Sequence, residues 1–372
     1  MVGVGAKRLM TASNPLKVLY LLHDSRRSGV PAVMASLIRS LDHRLVEPSV
    51  LFAYDGVYAN ELKEEGVAVT VVSRRLPFLW RLNRFLLVFW LPKLLRGVDV
   101  VHANSIMMAP AALVARWLGA RVVFHLHEKA GRSGWFLKKI ASAADSVLFC
   151  ARNCAVHYAE LHCRNRTTIL NAILLPSGAH TERSTGRKRI IMLGSINRNK
   201  GQDLLLEAFS RLGRDDTDLY IYGTVGLSAR GFMSDLQRRV KELGLQERVF
   251  FPGPTTEAQR VMQEATLLVH SSLNECLSIS VLEAMSHGLP VIANRIAGMD
   301  EIITDGRDGF LVTPGDLEEL TARMNELLGD EALRQRVGAA GLATVRERFD
   351  MKERVDDFVR LYDSLAGGRE RP

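Results

Sequence analysis

The sequence predicts an α/β protein built on two doubly wound parallel sheets, and three observations support this fold class. The chain has 372 residues, which is more than one ordinary core accommodates, so two domains are expected. Short apolar runs alternate with longer amphipathic segments, as in parallel sheets covered by helices on both faces. The runs form two groups of six, separated by the polar segment 177–188. We therefore expect Rossmann-like domains at 1–180 and 181–348, facing each other across a cleft.

Each predicted strand is a short apolar run bounded by polar or turn-forming residues. In the first half these strands are Lys17–Leu22, Pro48–Phe52, Val67–Val72, Val98–His102, Arg121–His127 and Ser146–Cys150. In the second half they are Arg189–Gly194, Leu219–Gly223, Val249–Pro252, Leu267–Ser271, Val291–Asn294 and Gly309–Val312. Ligands of open parallel sheets bind beyond the carboxyl ends of strands, so the residues that follow these runs are the candidates for a site.

Composition and charge narrow the class of protein. With 47% hydrophobic and 24% charged residues the chain resembles a soluble globular protein, and no apolar run is long enough to span a membrane. The run Val18–Leu22 is too short for a signal peptide, so we expect a cytoplasmic location and reduced cysteines. Residues 1–185 carry a net charge of +12 and residues 186–372 a net charge of −4. The basic half favours an anionic partner, with an ordinary solvated surface as the alternative.

The stretch ECLSISVLEAMSHGLPVI, residues 275–292, places two glutamates around an apolar run. Glu275 lies in the loop after a predicted strand. Ser280 and Glu283 have the spacing of a capping box, and Gly288 ends the predicted helix 281–287. Glu283 is then expected in the first helical turn, where both carboxylates reach one cleft. The alternatives are a helix cap for Glu283 and a solvated loop residue for Glu275.

Linked motifs extend this pattern: E-x7-E is followed by EAM-x-x-G-x-PVIA and AGMDEII-x-DG-x-x-GFLV-x-PGD. Together they resemble the nucleotide-sugar site of the family 4 glycosyltransferases, which are retaining enzymes with the GT-B fold. The resemblance covers nearly the whole chain. It implies that Glu275 contacts hydroxyls of the donor sugar and that Glu283 holds the ribose hydroxyls, with Ser278 and Ile279 beside them.

The loop after the strand 189–194 carries the expected cations. The resemblance implies a G-R-x-x-x-x-KG type of pattern that begins at Gly194, and Lys200 is present to neutralise the donor diphosphate. Ser195 stands where an arginine is usual, and Arg198 is the alternative cation of the loop. Gly223 ends the next strand, and we assign it to the same binding site. Because cations and backbone N–H groups stabilise diphosphate charge directly, we expect neither a metal nor another cofactor.

The basic half supplies the remaining site residues that the resemblance implies. Gly29 matches the second glycine of the family's Gly-Gly loop, and Ser28 replaces the first. His127, followed by an acidic residue, matches the strand-end histidine that contacts the donor sugar. His125 lies on the same strand face and is the alternative. His102 is expected behind these residues.

The segment 74–96 contains six basic residues, no acidic residue and several aromatic side chains. It is typical of an interfacial amphipathic element, and a buried helix with arginines at its rim is the alternative. Binding to an anionic membrane surface would make the protein peripheral at the inner face of the membrane. The partners expected are a UDP- or GDP-sugar donor and a glycan or lipid-linked acceptor, and not nucleic acid.

Three other interpretations are weighed. A zinc site at Cys150, Cys154, His157, His162 and Cys163 is less favoured than core packing. A dinucleotide-dependent oxidoreductase would need G-x-G-x-x-G at a helix start, which the chain lacks. A catalytically inactive GT-B scaffold remains because Ser195 departs from the pattern. The resemblance also implies that the helix in 349–372 packs back on the first domain.

Overall fold

A computed structural model describes residues 14–73, 90–129, 143–176 and 186–367. The chain divides into two compact units. Unit 1 contains the residues up to Cys150, Cys154–Leu170 and the residues from Met351 onward, and unit 2 contains Ala151–Asn153 and Asn171–Asp350. The main passage from unit 1 to unit 2 therefore falls at 170/171, before the predicted boundary at 180/181. Most of the predicted linker, 177–185, lies outside the described residues.

Unit 1 is built on a sheet of parallel strands in the order β3-β2-β1-β4-β5-β6-β7. The strands are β1 (Leu16–Leu22), β2 (Val46–Tyr54), β3 (Ala68–Ser73), β4 (Val100–Asn104), β5 (Arg121–Leu126), β6 (Ser146–Phe149) and β7 (Arg166–Thr168). Nearly all residues of the inner strands are buried, because helices cover both faces of a parallel sheet. The strand order reverses between β1 and β4, which makes their carboxyl ends the switch point of this sheet.

Unit 2 repeats the arrangement with the order β10-β9-β8-β11-β12-β13. Its strands are β8 (Lys188–Leu193), β9 (Thr217–Tyr222), β10 (Val249–Gly253), β11 (Leu267–His270), β12 (Val291–Asn294) and β13 (Phe310–Val312). The switch point lies between β8 and β11, which pair in parallel with Leu267 opposite Ile190. Two parallel-sheet Rossmann-like units confirm the predicted α/β fold class.

The described helices connect and cover these strands. In unit 1 they are α1 (Gly29–Ser40), α2 (Val57–Glu64) and α3 (Ala109–Trp117), and α4 (Arg152–His157) begins in unit 2 and continues in unit 1. Unit 2 contains α5 (Gln202–Ser210), α6 (Arg230–Glu242), α7 (Ala258–Glu264), α8 (Ile279–Ser286), α9 (Leu317–Gly329) and α10 (Glu331–Arg348). The last helix, α11 (Met351–Ala366), belongs to unit 1. None of the helices in the described ranges combines the length and the hydrophobicity that a membrane span requires.

Strand β7 was not predicted. It contains only Arg166, Thr167 and Thr168, none of them buried, and it lies at the edge of the sheet. Its carbonyl and N–H groups pair with β6, so backbone pairing rather than apolar side chains makes it a strand. A three-residue polar strand gives no hydrophobic period that sequence analysis can detect.

A buried polar column ties α11 to the sheet of unit 1. The Tyr362 hydroxyl lies 3.1 Å from the Tyr20 hydroxyl on β1 and 2.7 Å from His102 Nδ1 on β4. His102 Nε2 in turn lies 3.1 Å from His125 Nδ1 on β5, and Phe358 packs against both imidazoles. Burial lowers the pKa of His102 to about 3 and that of His125 well below its usual range, with the neighbouring His127 acting in the same direction. Both imidazoles are therefore neutral at pH 7.

This column should make the protein sensitive to acid. The two histidines bind protons in the unfolded chain below about pH 6.5 but resist protonation in the folded one, so stability falls as the pH falls. Each should contribute up to about 1.4 kcal/mol per pH unit to the loss of unfolding free energy. Urea unfolding at about pH 7, 6 and 5 measures the slope.

The His125→Gln variant should show a shallower pH slope, because it removes one of the two groups. His43→Gln, at an exposed position, is the matched control and should keep the slope of the parent. Equal slopes for the parent and His125→Gln would contradict the assignment of acid sensitivity to the column.

Candidate functional site

The loops after β8 and β11 meet at the switch point of unit 2 and are joined by hydrogen bonds. The Leu273 N–H donates to the Asn199 carbonyl at 2.8 Å, and Asn199 Nδ2 donates to the Asn274 carbonyl at 3.2 Å. The Ser271 hydroxyl donates to the Gly201 carbonyl at 2.8 Å. These bonds fix the two loops against each other, so side chains that follow either strand have defined positions.

Lys200 and Glu275 form an ion pair at the centre of these loops, through Lys200 Nζ and Glu275 Oε1. The Ser272 hydroxyl donates to the same oxygen at 3.2 Å, and His270 Nε2 lies 3.6 Å from it. Every described polar contact of this carboxylate involves Oε1, so Oε2 is the oxygen available for a ligand hydroxyl. The side chains of Lys200 and Glu275 are only 22% and 18% exposed, so the pair is poorly screened by water.

The pKa values of this cluster keep the carboxylate charged and the imidazole neutral. Burial acts to raise the pKa of Glu275, but the charge of Lys200, followed by His270, outweighs it and lowers the pKa. Burial, together with Lys200, lowers the pKa of His270 to about 4 in spite of the opposing effect of Glu275. At pH 7 the Glu275 carboxylate is therefore charged and the His270 imidazole is neutral.

Glycines allow the loops to approach this closely. Gly201 has φ = 68°, and a Cβ there would overlap the Ser271 carbonyl oxygen, so only glycine fits before α5. A Cβ on Gly223 would overlap the carbonyl oxygen of Gly194. Gly194 in turn lies beside the Lys200 side chain, whose Cε is 3.8 Å from the position of a Cβ. The predicted site residues Gly194 and Gly223 thus shape the loop around Lys200.

The other two predicted residues of this loop, Ser195 and Arg198, make no described contact with Glu275. Ser195 is exposed, and its hydroxyl accepts a hydrogen bond from Asn197 Nδ2 at 3.0 Å. The Arg198 guanidinium lies over the ring of Phe232 at 4.9 Å and pairs with Asp235 at 3.2 Å, both on α6. Arg198 is therefore directed towards α6 and makes no described contact with Lys200 or Glu275.

The helix that carries Glu283 begins earlier than predicted. Ser278 is the N-cap of α8, and Ile279 is its first residue, so Glu283 lies in the second turn and not in the first. The predicted capping box is wrong, because the Ser280 hydroxyl lies 3.1 Å from the Ser278 hydroxyl and the N-cap makes no side-chain bond to the helix backbone. Glu283 is partly exposed on this helix.

His270 was not predicted as a site residue, although its place at the end of β11 was a usable signal.

In unit 1 the residues at the carboxyl end of the sheet surround His127. Its Nε2 lies 3.2 Å from Asn104 Oδ1, and Asn104 Nδ2 donates to the His102 carbonyl at 3.1 Å. Because the amide nitrogen is used in this way, the amide oxygen must accept, and Nε2 of a neutral His127 carries the proton. Burial and the neighbouring His23 lower the pKa of His127, so the imidazole is neutral and its Nδ1 is an acceptor.

The structure separates the two histidines that sequence analysis could not distinguish. His125 is fully buried in the polar column, whereas His127 is partly exposed beyond the end of β5. Glu128 beside it accepts hydrogen bonds from the Ser105 hydroxyl at 2.7 Å and the Ile106 N–H at 2.8 Å. Ser105 has φ = 69°, so this carboxylate holds a strained turn. Gly29 is exposed at the start of α1 in the same unit.

Comparisons with known proteins show the family of this chain. Residues 28–170 match the family model described as a glycosyl transferase 4-like domain, and residues 179–343 match that of glycosyl transferases group 1. The chain is 25% identical over 359 residues to the lipopolysaccharide core biosynthesis glycosyltransferase LpsD of Rhizobium meliloti, covering 94% of this chain and 98% of that protein. It is 29% identical over 303 residues to a GDP-mannose-dependent phosphatidylinositol monomannoside mannosyltransferase of Mycolicibacterium smegmatis, covering 70% and 75%.

Solved structures show the same fold. Anabaena HepE, in complex with UDP and glucose, superimposes with a TM-score of 0.82 at 20% identity and covers 94% of this chain and 100% of that one. A glycosyltransferase from Rickettsia africae superimposes with a TM-score of 0.76 at 17% identity, covering 96% and 100%. The two family matches adjoin and together cover most of the sequence. The chain therefore belongs to the family 4 glycosyltransferases of the GT-B fold.

Proposed function

We propose that the protein transfers a sugar from a nucleoside diphosphate sugar to a glycan or lipid-linked acceptor of the cell surface. The observation that carries this proposal is the Lys200–Glu275 pair at the switch point of unit 2. An ammonium suits a diphosphate, and a carboxylate suits the hydroxyls of a sugar, so one cluster addresses both halves of such a donor. Glu283 on α8 is assigned to the ribose hydroxyls.

The chemistry proposed is transfer with retention of configuration and without a metal. Cleavage of the bond between sugar and phosphate leaves additional negative charge on the diphosphate. The position of Lys200 beside Gly194, in loops joined by hydrogen bonds, supports a role for its ammonium in stabilising that charge. His127 in unit 1, which is the strand-end histidine of the family pattern, is proposed to contact a hydroxyl of the donor sugar. Retention follows from the resemblance to the retaining family.

The relatives support the proposed donor and acceptor. LpsD is named for the biosynthesis of the lipopolysaccharide core, and the mycobacterial relative for GDP-mannose and a phosphatidylinositol monomannoside. HepE was solved with UDP and glucose. These names favour a UDP- or GDP-sugar and an acceptor that carries a lipid. A lipid-linked acceptor in turn favours a protein that works at the inner face of a membrane.

A panel of nucleotides tests the proposal against its two alternatives. UDP, GDP, ADP and NAD are each added at saturating concentration, and the melting temperature is measured. We expect UDP or GDP to raise it by about 2–8 °C, because ligands that bind only the folded state stabilise it. A preference for NAD would favour an oxidoreductase, and no response to any nucleotide would favour an inactive scaffold.

Glu283→Ala should weaken binding of the preferred nucleotide by about 10- to 100-fold, because two hydrogen bonds to a carboxylate are lost. Isothermal titration with UDP or GDP measures the affinity. Glu247→Ala, which removes an exposed glutamate of unit 2, is the control and should bind as the parent does. Equal affinities for parent and Glu283→Ala would show that Glu283 does not hold the ribose.

Membrane attachment is proposed through the segment 74–96, of which residues 74–89 lie outside the described part of the chain. In the remainder Trp90 is 43% exposed and Lys93 is exposed, while Leu91 is buried. Replacing Arg81, Arg84 and Lys93 by glutamine should weaken binding to vesicles with phosphatidylglycerol by at least about 10-fold, since each basic residue contributes about 1 kcal/mol. Co-sedimentation measures the bound fraction.

The control for this experiment removes the same number of charges elsewhere. Lys241, Arg336 and Arg346 are exposed in unit 2, and their replacement by glutamine should leave vesicle binding unchanged. Vesicles of phosphatidylcholine alone should bind the parent weakly. Equal binding by both triple variants would favour the alternative in which the segment 74–96 packs in the core.

A further inference from the structure

His270 is a buried histidine at the site whose ring nitrogen has no hydrogen-bond partner. Its side chain is 2% exposed, and its Nε2 makes no hydrogen bond in the described structure. Glu275 Oε1 lies 3.6 Å from this nitrogen, just beyond hydrogen-bond range. A buried polar nitrogen without a partner carries a free-energy cost, so its position needs a reason.

The Lys200 ammonium, which is bonded to the Glu275 carboxylate, explains why His270 Nε2 has no hydrogen-bond partner. Lys200 Nζ is bonded to Glu275 Oε1, the same oxygen that His270 Nε2 faces. Under the proposed function that ammonium is also required by the donor diphosphate. When the ammonium turns to the diphosphate, its bond to Glu275 weakens. The carboxylate, which is poorly hydrated, would then keep Ser272 as its remaining described donor.

We propose that His270 is a positioning residue that takes over the Glu275 carboxylate when Lys200 turns to the donor diphosphate. A neutral imidazole with its proton on Nε2 needs to close only the short gap to Oε1 to donate a hydrogen bond. Glu275 Oε2 then stays directed at the sugar hydroxyl while Oε1 changes its donor. This inference rests on the proposed function, since it needs a diphosphate that attracts Lys200.

Two features of the surroundings favour this exchange. Asn294 Nδ2 donates to the carbonyls of Ser271 and Ser272, at 2.8 Å and 3.2 Å, and so fixes the backbone between His270 and Glu275. The charged groups that act on His270 are Glu275 and Lys200, with opposite signs. Withdrawal of the ammonium therefore strengthens the attraction between imidazole and carboxylate.

The direct test follows the imidazole N–H proton of His270 by NMR in protein with ¹⁵N-labelled histidine, at neutral pH. Absence of its signal in His270→Gln assigns the resonance. Adding UDP or GDP should move it downfield, because a hydrogen bond to a carboxylate forms. Uridine and guanosine, which lack the diphosphate, should leave it unchanged. The Lys200→Met variant should show the downfield position without any nucleotide.

Variants test the consequence for nucleotide binding and for turnover. The donor is UDP-glucose if UDP binds and GDP-mannose if GDP binds. His270→Leu should weaken binding of UDP or GDP by about 10- to 100-fold, because the hydrogen bond to the charged group forms in the nucleotide complex and not in the free protein. It should also lower kcat, because Glu275 is no longer held at the sugar hydroxyl. His270→Gln, which retains an N–H donor at similar reach, should recover most of kcat. Recovery by glutamine would not be expected if His270 only filled space.

The outcomes separate this inference from the proposed function. A nucleotide that binds without moving the His270 resonance would overturn the exchange while leaving the donor assignment intact. Binding of neither UDP nor GDP would overturn the donor assignment. In that case an unchanged resonance in Lys200→Met would also overturn the coupling between Lys200 and His270. Equal kcat values for His270→Leu and the parent would contradict the positioning role.

Discussion

The ion pair between Lys200 and Glu275 is the interaction on which the functional site depends. The two residues are far apart in sequence, and they meet because β8 and β11 are adjacent at the point where the strand order of unit 2 reverses. Without the hydrogen bonds that join their loops, Lys200 and Glu275 would each present an unpaired charge. Held together in a half-buried position, the charges interact more strongly than they would in water, and the site is organised before a ligand arrives.

The Lys200–Glu275 pair of unit 2 and the buried histidines of unit 1 are stabilised in different ways. Unit 2 pairs opposite charges at its switch point, and the carboxylate stays ionised because an ammonium faces it. The histidines of unit 1 are neutral, because burial suppresses protonation of His102, His125 and His127, and they make hydrogen bonds to tyrosine and asparagine. The cluster at the switch point of unit 2 is therefore charged, while the imidazoles of unit 1 are not.

In the loop after β8, a serine in place of the family's arginine makes the site depend more on Lys200. Ser195 stands where the family pattern has an arginine, and Arg198 is engaged by Phe232 and Asp235 on α6. Within the described part of the chain, Lys200 is the lysine or arginine that contacts Glu275. Under the proposed function this one ammonium serves both a carboxylate and a diphosphate, which is why a neutral donor beside the carboxylate, His270, would be useful.

The sequence by itself determined the fold class, since the alternation of apolar runs with amphipathic segments is a local property. The apolar runs form the strands of each sheet, and the amphipathic segments form the helices that cover it. The resemblance carried by the linked motifs also predicted Lys200 and Glu275 as site residues, and both lie in loops that follow strands. Only the tertiary structure decided what depends on partners distant in the chain. The polar strand β7 exists through pairing with β6, and Arg198 is directed by α6. The place of His270 behind Glu275 follows from the loop conformation, which no residue spacing encodes.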